Sequence, residues 1–76
     1  MAEEFTLAPM RRLLKKYGDL KIGEEASEEM RHVIGEYGSK IARASVENAQ
    51  RENRKVLLAR DVRAAQRQLE SMEADH

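Results

Sequence analysis

Three amphipathic helices, short, long and medium in that order, make up the all-α architecture that this sequence predicts. Three observations predict it. Apolar residues recur at three- and four-residue spacing along most of the chain, and the breaks fall at Pro9, between Gly18 and Gly23, and at Asn53. A length of 76 residues leaves room for one domain, spanning residues 1–76.

The first helix is expected over about residues 7–17. Pro9 suits an opening turn, and Gly18 can take the left-handed conformation that ends a helix. Leu7, Met10, Leu14 and Tyr17 fall on one face with Leu13 beside them, while Arg11, Arg12, Lys15 and Lys16 lie elsewhere, which makes a basic amphipathic helix. After a loop, the second helix is expected over 24–50. Glu24 and Glu25 favour its N-terminus, and Ala26, Met30, Val33, Ile34, Tyr37, Ile41, Ala44 and Ala49 keep helical spacing. Gly35 and Gly38 each weaken such a helix by about 1 kcal/mol, so it depends on tertiary contacts, and small residues there suit a close helix crossing. Val56, Leu57 and Leu58 suit an extended, strand-like segment. The third helix follows over 59–72, with Val62, Ala65, Leu69 and Met72 continuing a face begun at Leu58, and residues 73–76 are expected to fray.

Without cysteine, neither a disulfide nor a Cys/His zinc site can staple so short a chain, and a second subunit is the remaining way to complete a core. The long helix, about 40 Å at 1.5 Å per residue, cannot be covered by flanking helices of about 11 and 14 residues. A second copy must cover it, and burial at about 25 cal/mol per Å² would make folding and dimerisation one event.

The net charge is zero, yet the charge is segregated. Residues 1–23 carry +2, residues 24–50 carry −3, residues 51–60 carry +3 and the remainder carries −2. Two separated basic blocks can therefore meet phosphates in a soluble chain. No apolar run approaches the roughly 20 residues of a membrane span, and the opening residues lack the regions of a signal peptide, so a cytoplasmic protein is expected. His32 and His76 have no metal-ligand partners at suitable spacing and read as surface residues, so no metal or other cofactor is expected. Glu24, Glu25, Glu28 and Glu29 read as helix-start solvation rather than catalytic carboxylates, and Tyr17 and Tyr37 as packing residues. Neither an enzyme nor a small-molecule substrate is expected.

Together these residues resemble the archaeal-type histone family, from about Phe5 to Leu69. Leu7-Ala8-Pro9-Met10 with Arg12 and Leu13-Leu14-Lys15 looks like the family's opening helix, and Tyr37-Gly38 with Ile41-Ala42 like its central helix. Arg54-Lys55 followed by Asp61-Val62 is the most specific part, resembling the second loop and third helix. The resemblance implies the histone fold of a minimal, tailless histone. It also implies a handshake homodimer, extending to tetramers or longer assemblies on double-stranded DNA, in a chromosome- or nucleoid-associated setting.

In such a dimer each first loop lies beside the partner's second loop. Lys21 of one copy would join Arg54, Lys55 and Arg60 of the other, with Arg12 and Lys15 at the centre, and Arg11, Gly23 and Val56 are further DNA-binding candidates. Arg12 is the candidate for minor-groove insertion, and preference would follow DNA deformability. The resemblance makes Arg54 and Asp61 a structural ion pair, and Asn48, Arg51 and Asp61 the dimer–dimer contact. Four departures modify this expectation. Arg11 stands where the family commonly has glycine, and Asn48 and Arg51 where it has an apolar residue and a histidine, so stacking and tetramers should be weaker. Val56 replaces a threonine and Gly23 a capping serine or threonine, so DNA affinity should be lower. A different class of role remains open at this stage: a histone-fold interaction subunit that heterodimerises within a transcription or chromosome-associated complex.

Overall fold

A computed structural model describes residues 5–74, and the elements along them are α1 (Leu7–Lys15), α2 (Glu24–Arg51) and α3 (Ala59–Ala74). This is the short, long, medium order of the histone fold, with no strand among the described residues. The chain divides into two compact units, one ending at Tyr37 and one beginning at Gly38.

In the first unit, α1 opens after Thr6, whose backbone is extended and whose side chain makes no capping bond. Pro9 stands in the first turn, where its missing N–H would have had no helical partner. The helix stops at Lys15, two residues before the expected end. Lys16 stays in the right-handed region and donates its N–H to the Leu13 carbonyl at 3.3 Å, a tightened last turn that leaves Gly18 nothing to close. No glycine takes a positive φ among the described residues, so the expected left-handed cap at Gly18 is not used. Tyr17 consequently leaves the helical face and is 81% exposed, with the Lys16 ammonium 5.5 Å from its ring centroid. Met10 is the buried residue of α1. Gly23 caps α2 through its backbone, its carbonyl accepting from Ala26 and Ser27 N–H at 3.1 and 3.4 Å.

In the second unit, α2 ends through Asn53 at φ 58°, the one non-glycine residue with positive φ among the described residues. The Asn53 N–H reaches the Gln50 carbonyl at 2.9 Å and the Arg54 N–H reaches that of Ala49 at 3.1 Å, the paired closure of a left-handed helix terminus. Asparagine tolerates this conformation better than most side chains do. Val56, Leu57 and Leu58 are exposed and irregular rather than strand-like, since nothing among the described residues pairs with them. Asp61 starts α3. Its carboxylate accepts from the Leu58 N–H at 2.8 Å, supplying the cap that a leucine side chain cannot. The helix runs on through Glu73 and Ala74, two residues past its expected end, because good helix formers and no breaker follow Met72. Asp75 and His76 lie outside the described residues.

The apolar interior of the single chain is small. Among the described residues Met10, Ala49 and Ala65 are buried, whereas twelve large apolar side chains, Val33, Tyr37, Val46 and Val62 among them, remain exposed. Of the apolar series read along α2, Met30, Ile34, Ile41 and Ala44 are only half-buried.

Candidate nucleic-acid interface

The second loop is built around Arg54. Its Nη2 donates to Asp61 Oδ1 at 2.6 Å and its Nη1 to Asp61 Oδ2 at 2.9 Å, a two-pronged pair with a carboxylate that is almost wholly buried. Nη1 also donates to the Val56 carbonyl at 2.9 Å, and Nε to Glu52 Oε1 at 2.8 Å. Four hydrogen bonds thus tie the end of α2, the loop and the start of α3 to one guanidinium. The Arg54 hydrogen bonds, and next the Leu58 N–H, pull the Asp61 carboxyl down to about pKa 2, while the hydrogen bonds to Asp61 and next to Glu52 raise Arg54 further above its ordinary range.

Arg54 is therefore largely occupied inside the chain, whereas Lys55 beside it and Arg60 in the first turn of α3 are exposed. Val56, next along, is 63% exposed. Below the loop an open groove is lined by Val46, Ala49, Val56 and Leu57 together with Arg54 and Lys55. It leaves apolar surface uncovered next to cationic surface.

The remaining basic candidates belong to the first unit. Arg11, Arg12 and Lys15 are all exposed on α1, and Lys21 and Gly23 are exposed in the first loop. Arg12 and Lys15 also occupy the last turn of α1, where a cation is favoured by the helix dipole.

The residues assigned to a dimer–dimer contact form a polar network within one chain. Buried Asn48 donates through Nδ2 to the Asp61 carbonyl at 3.2 Å, and its Oδ1 accepts from Arg51 Nη1 at 3.1 Å and Gln68 Nε2 at 3.4 Å. Each polar atom of the Asn48 amide is thereby engaged. Among the described residues no group of three or more His, Cys, Asp or Glu side chains is placed to hold a metal ion. His32 lies 3.6 Å from Glu36 on the exposed surface of α2. Among the described residues no helix is long and apolar enough to cross a membrane.

Glu52 is the residue that reading the sequence passes over. Its Oε1 accepts from both Arg54 and Arg60 Nη2, the latter at 3.1 Å. Its one signal in the sequence is being the single acid inside the basic block 51–60.

Comparison with known proteins covers most of the chain. The family described as histone-like transcription factor (CBF/NF-Y) and archaeal histone matches residues 3–65. One subunit of the archaeal histone HAN1 from Thermococcus zilligii is 32% identical over 62 residues, covering 82% of this chain and 92% of that protein. The probable archaeal histone 3 of Methanocaldococcus jannaschii is 38% identical over 64 residues, covering 84% of this chain and 96% of that one. No solved structure matches the chain significantly.

Proposed function

Because the chain belongs to the family of histone-like transcription factors (CBF/NF-Y) and archaeal histones, we propose that it is a DNA-binding histone. In this reading it is a single histone-fold domain whose homodimer bends, wraps or compacts double-stranded DNA through phosphate and minor-groove contacts, without reading bases. The observation that carries the reading is the second loop, where Arg54 is fastened from within while Lys55 and Arg60 are left exposed on the resulting frame. Cations held in place on an otherwise near-neutral chain suit a repeating polyanion.

Twelve exposed large apolar side chains against three buried apolar residues support a second copy as the cover. In the handshake arrangement Lys21 of one copy joins Lys55 and Arg60 of the other, and Arg11, Arg12 and Lys15 form the central station, with Arg12 entering the minor groove. The polar network at Asn48 and Arg51 supports weak association between dimers. The protein would be chromosome-associated and would need neither a cofactor nor a catalytic residue.

Titration of a ~60 base-pair duplex, with mass measured in solution, tests the proposal. We expect a homodimer whose binding falls steeply with salt and varies little with sequence, and weaker binding for both Arg12→Ala and Lys55→Ala. Absence of binding at low salt would end the DNA reading. A chain that folds only when mixed with a different histone-fold protein would replace the homodimer with a heteromeric complex.

A further inference from the structure

At the second loop a single carboxylate is shared by two guanidinium groups. Glu52 Oε1 lies 2.8 Å from Arg54 Nε and 3.1 Å from Arg60 Nη2, bridging two guanidinium groups as one phosphate oxygen does. We propose that Glu52 is an internal phosphate substitute that holds Arg60 until DNA displaces it, and so sets the DNA affinity of the protein low. This rests on the DNA-binding reading above.

Helix electrostatics argue against a merely structural role. Glu52 follows the last residue of α2, where exposed carbonyls disfavour an anion, and Arg60 stands in the first turn of α3, where exposed N–H groups disfavour a cation. Each charge is at the wrong end of its helix, so neither is explained by the stability of its own element. Arg54 keeps its bonds to Asp61 and to the Val56 carbonyl whatever Glu52 does. The ion that Glu52 withholds is therefore Arg60, whose one salt bridge among the described residues is to Glu52.

Both members of that pair are well exposed, with 61% of the Arg60 side chain and 57% of that of Glu52 accessible. Such pairs are weak and yield to a competing anion. Once displaced, the carboxylate still faces the incoming phosphates and opposes them.

The test measures binding of a ~60 base-pair duplex by the full chain over a range of salt. Glu52→Gln and Glu52→Ala should each tighten binding about three- to tenfold at low salt. The slope of log affinity against log salt should steepen by about 0.9 for each phosphate newly contacted. The thermal midpoint should stay close to that of the wild type. Glu47→Gln, which removes an equal charge from an exposed site on α2 without an ion pair among the described residues, should give a smaller gain. Combining Glu52→Gln with Arg60→Ala should abolish the gain.

If the Glu52 variants bind no tighter than Glu47→Gln, or if the gain survives Arg60→Ala, the role of Glu52 is refuted while the DNA reading stands. A wild type that ignores DNA removes both.

Discussion

The Asp61 carboxylate accepts three hydrogen bonds, two from Arg54 and one from the Leu58 N–H, and a carboxylate so supplied resists protonation. Its folded pKa of about 2 lies below the unfolded 3.8, so its contribution to stability is complete above about pH 4. As pH falls from about 4 to about 2, the unfolded chain takes up a proton that the folded chain refuses, and that contribution disappears. Urea unfolding across this range should show wild type losing its advantage over Asp61→Asn, which is the weaker of the two at neutral pH. A constant gap between the two curves would deny Asp61 this part. Arg54→Lys keeps the charge but cannot span both Asp61 oxygens together with Glu52 and the Val56 carbonyl, so its thermal midpoint should fall as well.

At the scale of elements, the end of α2 depends on Asn53 being able to take a left-handed backbone. Asn53→Ala should lower stability by about 1 kcal/mol, whereas Asn53→Gly should match or exceed wild type in denaturant unfolding. Equal losses for both would show that the side chain, not the backbone, matters there. The order of the helices was legible because apolar spacing and breakers are local properties of the chain. The end of α1 was not, since a tightened turn at Lys16 pre-empted a glycine that was equally able to close it. Arg54 and Asp61 stand seven residues apart and do meet, and the position of Asp61 in the first turn of α3 also lets the same carboxylate cap that helix. The bridge from Glu52 to Arg60 spans the whole loop, and only the folded path of the backbone brings those two charges together.

For the whole molecule, the small apolar interior predicts that stability is shared between copies. A tenfold rise in protein concentration should add about 1.4 kcal/mol to the apparent stability and raise the thermal midpoint, which calorimetry at several concentrations can read. A midpoint indifferent to concentration would mean that one chain suffices. Beyond the dimer, Asn48 spends its amide on Asp61, Arg51 and Gln68 instead of offering an apolar surface. If the chain dimerises as proposed, Asn48→Leu together with Arg51→His should therefore strengthen tetramer formation on DNA, visible as a larger share of doubled mass than wild type gives. The fastening at Arg54 has a consequence for the rate of encounter. On the proposed DNA-binding reading, a loop tied down from within would have little disorder to surrender when a polyanion arrives, so Lys55 would meet phosphate without a preceding search through backbone shapes, and capture would be limited by diffusion and long-range attraction.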